Sequence, residues 1–133
     1  MGKHSMLSPS QAFGQSAEGM AEQMLRKKGY RILERNFRVA GGELDLIAVD
    51  NGILVFIEVK ARRGQHFGGA PYAITTRKKQ QIIKLASCYL SQHDLTNQHC
   101  RFDVILVVGS NEHSLKLTHI EQAFEVSSSA WQW

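Results

Sequence analysis

Ile53-Leu54-Val55-Phe56-Ile57-Glu58-Val59-Lys60 is the stretch that decides how this chain is read. Its β-branched and apolar residues follow the turn signal Asp50-Asn51-Gly52, and they predict a strand from Ile53 to Val59 that is buried on both faces. Side chains two apart on a strand share a face. Glu58 and Lys60 therefore leave the core together on the Leu54/Phe56 face, an acid beside a base at its rim. Alone, such a pair also reads as a surface ion pair at a strand end, worth about 0–1 kcal/mol. The preceding strand adds a second acid. Gly42-Glu43-Leu44-Asp45-Leu46-Ile47 opens an apolar run predicted from Glu43 to Val49, and the Asp50-Asn51-Gly52 hairpin lays it antiparallel to the first. Asp45 is then brought beside Glu58.

Phosphodiester hydrolysis needs negative charge neutralised on the phosphate and a water made nucleophilic at neutral pH, and a divalent cation can supply both. Mg²⁺ or Mn²⁺ is satisfied by one or two carboxylates with other oxygens and waters. Asp45 and Glu58 are the candidate ligands, with the backbone carbonyl of Val59 as a third. Lys60 is placed to orient or deprotonate water, or to hold a phosphate oxygen. Glu43 shares a strand face with Asp45 but lies at the strand mouth, where a solvated role is expected.

Outward from these strands, Pro9 after Ser8 reads as a helix start, and Ala17, Met20, Ala21, Met24, Leu25 and Lys28 recur at helical spacing before Gly29. Glu18 falls on the edge of that apolar stripe. It is either a site acid facing a polar pocket or an acid favoured by the early helix dipole. Tyr30 to Val39 is a predicted strand, Ala40-Gly41-Gly42 a turn, and Ala61 to Thr75 a loop containing His66. Thr76 to His93 is a second amphipathic helix, followed by strands at Phe102 to Val108 and Leu115 to Ile120. The order is α-β-β-β-α-β-(β), an α/β fold with a mixed central sheet flanked by helices. One domain is expected from 9 to 126, with flexible ends at 1–8 and 127–133, the latter carrying Trp131 and Trp133.

The totals agree with a small globular domain: 133 residues and a formal charge of +4. No window approaches the roughly 20 apolar residues that span a bilayer, and no secretory signal is visible, so a cytoplasmic protein is expected. Cys88 and Cys100 lack metal-ligand spacing and read as free thiols. The six histidines show no zinc spacing. Arg62 and Arg63 follow the acidic site, while Arg77, Lys78 and Lys79 open the second helix against its dipole. Those cations form either a positive rim for a nucleic-acid backbone or a solvated charge run.

Several motifs then resemble the YraN family of small bacterial proteins: Gly14-x-x-Ala17-Glu18-x-x-Ala21, Gly29-Tyr30-x-Ile32-Leu33-x-Arg35-Asn36, Gly42-Glu43-Leu44-Asp45-Leu46-Ile47, Val55-Phe56-Ile57-Glu58-Val59-Lys60-x-Arg62 and Arg101-Phe102-Asp103-Val104. The resemblance covers about Gly14 to Val108. It implies a restriction-endonuclease-like, PD-(D/E)XK core similar to Holliday junction resolvases. On that likeness Glu18 is the helix glutamate, Asp45 the metal-binding aspartate, and Glu58 with Lys60 the Glu-x-Lys pair. The implied function is a Mg²⁺- or Mn²⁺-dependent endonuclease acting on DNA, including branched or structured forms, with a homodimer as the assembly. Two alternatives stand beside it: a DNA-binding accessory module with a vestigial site, and an interaction scaffold docking through the Trp131/Trp133 tail.

Overall fold

The computed structural model describes residues 9–64, 74–109 and 114–126, with side chains from residue 16 onward. The expected ends at 1–8 and 127–133, the Ser8 cap, His66 and the Trp131/Trp133 tail lie outside the described residues. Helix α1 (Pro9–Lys27) is followed by β1 (Arg31–Val39), β2 (Gly42–Asp50), β3 (Ile53–Arg63), helix α2 (Thr76–Gln92), β4 (Cys100–Gly109) and β5 (Lys116–Ile120). The strands form one sheet in sequential order. β1–β2, β2–β3 and β4–β5 are antiparallel, and β3–β4 is parallel, with α2 making the crossover. This is a mixed α/β fold consistent with a restriction-endonuclease-like core.

Local chemistry explains the joints. Gly29, at φ +95, closes α1: Tyr30 N–H donates to the Leu25 carbonyl and Gly29 N–H to the Arg26 carbonyl, the paired bonds of a Schellman ending. Asn51 and Gly52 both have positive φ, as a two-residue type I′ hairpin requires. The Thr75 hydroxyl caps α2 by accepting from Lys78 N–H at 3.2 Å.

The central strand is buried on both sides. Leu54 and Phe56 pack with Ile82, Ala86, Tyr89 and Leu90 of α2, and Val55 and Ile57 pack with Ala17, Ala21 and Leu25 of α1. The small alanines let α1 lie close to the sheet. β3 also runs further than its side chains predict. Ala61 to Arg63 were expected in the loop, but the parallel ladder continues to Arg63↔Gly109, so backbone pairing carries the strand past its last apolar residue.

Candidate metal centre

β2 and β3 stay paired only as far as Leu46↔Ile57. Beyond that point they part, and the Asp45 carboxylate fills the gap: its Oδ2 accepts the Val59 N–H at 2.7 Å. The N–H and C=O of one strand residue face the same edge, so the Val59 carbonyl is directed to this gap as well. Glu18 comes in from α1 and Glu43 from the start of β2. One ligand oxygen from each of Glu18, Glu43 and Asp45 lies within 4.8 Å of the others. These residues line a cleft of about 420 Å³ together with Glu22, Arg35, Asn36 and Arg38.

Glu58 stands outside that trio, on the α2 face of the sheet. It is 9 % exposed. Its Oε1 pairs with Lys78 Nζ at 3.3 Å, and its Oε2 is buried with no hydrogen-bond partner among the described residues. Lys78 is held in turn by Gln81, whose Oε1 it approaches at 3.4 Å and whose Nε2 donates to the Gly41 carbonyl at 2.9 Å. A Cβ on Gly42 would fall 2.7 Å from Gln81 Nε2, so the glycine is what allows this approach.

The carboxylates repel one another in a poorly hydrated place. Burial pushes the Asp45 carboxyl up to about 7, helped by the charge of Glu58 and then of Glu18 and Glu43, against the Val59 N–H. Burial also raises Glu18, with Glu43 and Glu58 adding to it. Glu58 is raised by burial, which outweighs the opposing charges of Lys78 and Lys60. Crowded oxygen ligands, a proton held near neutrality and an unpartnered carboxylate oxygen suit a hard divalent cation. Asp45, Glu58 and the Val59 carbonyl could hold Mg²⁺ or Mn²⁺ with Glu18 and Glu43 adjacent.

The expected cations separate. Lys60 lies on the Glu58 face, where its charge favours the Glu58 carboxylate. Lys78 reaches into the site, Lys79 lies over the Phe124 ring at 5.8 Å, and Arg77 is exposed. Arg62 and Arg63 are exposed at the end of β3.

Three features were missed from sequence. Glu43 joins the acidic trio although its place at the strand mouth suggested solvent. Asn36 stands in the Arg35-Asn36 block of the family resemblance but was given no role in the site. The third is a cluster around the buried Asp103 at the other end of the sheet, where His119 and the exposed Glu121 meet it. There Asp103 Oδ1 accepts from Arg101 Nε and the Gln122 N–H, and Oδ2 from Arg101 Nη2 and His119 Nε2. Lys28 can only donate to His119 Nδ1, at 2.8 Å, so the ring proton sits on Nε2 facing Asp103. With both Asp103 oxygens already taken, this cluster is a structural ion network rather than a metal site.

Known proteins bear on the chain as a whole. The model of the uncharacterised protein family UPF0102 matches residues 17–107. A UPF0102 protein of Hahella chejuensis is 48% identical over 111 residues, covering 84% of this chain and 88% of the relative. One from Symbiobacterium thermophilum is 42% identical over 86% of this chain and 98% of its own length. One from Stutzerimonas stutzeri is 42% identical over 90% and 99%. Among solved structures, that of SSO0001 is 19% identical with a TM-score of 0.42; the match covers 89% of this chain and spans 55% of that one.

Proposed function

The chain belongs to the family UPF0102, the YraN family of its sequence motifs, and we propose that it is a metal-dependent DNA endonuclease, with branched or structured DNA as the substrate class. The observation that carries this reading is Glu58 Oε2, buried without a partner among the described residues while the Glu58 charge bears on Asp45. Glu34 Oε2 is likewise buried without a partner among the described residues, so it is the placement of Glu58 against Asp45 that singles Glu58 out.

Asp45 and Glu58 hold Mg²⁺ or Mn²⁺ with the Val59 carbonyl, and Glu18 supports the set from α1. When bound, the cation supplies charge neutralisation and water activation. Lys60, as a cation, orients the attacking water or steadies a phosphate oxygen as a point charge. Arg62, Arg63 and Arg77 are exposed for backbone phosphates, with Lys78 and Lys79 beside them at the start of α2. A homodimer would let two strands be cut symmetrically.

The test is a panel of linear, nicked, flap and four-way DNA incubated with Mn²⁺. Cleavage of at least one substrate is expected, and none at all would sink the proposal. Asp45→Ala and Lys60→Ala should each abolish cutting while the fold and DNA affinity are largely kept. A DNA-binding module with a vestigial site would instead retain salt-dependent binding but show no Mn²⁺ heat by calorimetry, in wild type or in Asp45→Asn.

A further inference from the structure

Asn36 is a non-glycine residue in the left-handed region, at φ +52, inside strand β1. The other non-glycine residues with positive φ among the described ones, Asn51, Asp94 and Gln122, lie outside the helices and strands, at turns and element ends. Asn36 falls between the Arg35↔Leu46 and Phe37↔Leu44 pairs, which sets it opposite Asp45. Both strands change face there. Arg35 reaches Glu22 of α1 whereas Phe37 packs on the α2 side, and Leu44 packs on the α2 side whereas Leu46 faces α1. Residues two apart on a regular strand share a face, so the kink is local and involves both strands.

The kink delivers an amide into the acidic cleft. Only acceptors face one end of the Asn36 side chain, so its nitrogen stands there. With the amide assigned in that orientation, the nitrogen donates to Glu18 Oε1 at 3.2 Å and to Glu43 Oε1 at 3.1 Å. Two like-charged carboxylates thus share a neutral donor with two N–H groups. Backbone conformation alone does not call for this residue, because glycine adopts positive φ with less strain.

We propose that Asn36 is a positioning residue that holds Glu18 and Glu43 together beside Asp45 in the metal-free chain, so that the carboxylates already converge when a divalent cation arrives. This rests on the metal-site reading above. Asn36 need not touch the cation; it removes the reorganisation that repelling carboxylates would otherwise undergo on binding.

The backbone-neutral variant Asn36→Gly separates the amide from the kink. It should melt close to wild type without metal and bind Mn²⁺ about tenfold more weakly by calorimetry, the scale of one lost hydrogen bond to a charged group. Equal Mn²⁺ affinity in a folded Asn36→Gly chain would overturn the proposal, because a role in the kink alone predicts that result. A second measurement does not depend on that variant folding. In metal-free wild type, the Asn36 side-chain amide resonances should shift when Glu43 is changed to Gln and should move saturably on Mg²⁺ titration. Amide signals indifferent to both changes would also overturn it. If wild type takes up no Mn²⁺ or Mg²⁺, the metal-site reading fails and the preorganising role falls with it. The Glu43→Gln shift then still reports whether the amide pairs the carboxylates.

Discussion

At the scale of single residues, Asp45 stores the opposition between stability and use. Its carboxyl is raised from 3.8 to about 7 by burial and neighbouring charge. A folded-state pKa above the unfolded one means the native chain binds the extra proton, so this stability is present at low pH and lost as pH rises from about 4 through 7. Asp45→Asn keeps an oxygen for the Val59 N–H but carries no charge. The metal-free variant should match wild type near pH 4 and exceed it at pH 8, by about 2–4 kcal/mol on a shift of roughly three pH units. Chemical denaturation at the two pH values measures this, and a variant less stable than wild type at pH 8 would refute the repulsion. The identities of Asp45, Glu58, Lys60 and Glu18 as candidates were legible from strand alternation and helical angle. The roles of Glu43 and Asn36 were not: alternation put Glu43 on the Asp45 face, but nothing local shows that Glu18 of α1 comes to meet it, and the left-handed Asn36 breaks the period of two in β1.

At the scale of elements, nearly every boundary followed from local chemistry. The glycine-closed α1, the Asn51-Gly52 turn and the apolar run of β3 each announce themselves within a few residues. What local sequence could not supply was the end of β3, fixed by pairing with a strand nearly forty residues away, or the partner of Lys78, fixed by how α2 docks. The hairpin can be probed directly. Gly52 sits at φ +82 with open space where a Cβ would stand, so Gly52→Ala meets backbone strain and no clash. A loss of about 1–2 kcal/mol in urea unfolding is expected with an unchanged m-value. No loss would mean that the turn relaxes to another type.

At the scale of the whole molecule, the Asp103 network ties parts that are distant in sequence. Arg101 bonds Asp103, Asp50 and the Tyr30 hydroxyl, which itself donates to Glu121, while His119 links Asp103 to Lys28 at the end of α1. Burial pushes Asp103 up, but hydrogen bonds from His119 and Arg101 prevail and hold it below the usual carboxylate range. Its contribution is therefore kept at neutral pH and lost on acidification. Asp103→Ala leaves a guanidinium, an imidazole N–H and a backbone N–H without their acceptor, and should cost about 3–5 kcal/mol at pH 7 by denaturant unfolding. A cost under about 1 kcal/mol would show the network to be incidental.

The kinked first strand also governs how copies of this chain can meet. β1 is one of the two outer strands, and an outer strand ordinarily offers a row of free N–H and C=O groups that another chain can extend. Here that row is interrupted twice, by the register shift between Ile32 and Glu34 and by the left-handed Asn36. Charged side chains stud it, Arg31 and Glu34 with Arg35 and Arg38, the last two paired to Glu22 and Glu43, and β5 at the far side is only five residues long. Irregular backbone and charged side chains disfavour edge-to-edge pairing. If copies of this chain associate, the contact is expected through side chains on a helix or loop rather than through the β1 edge.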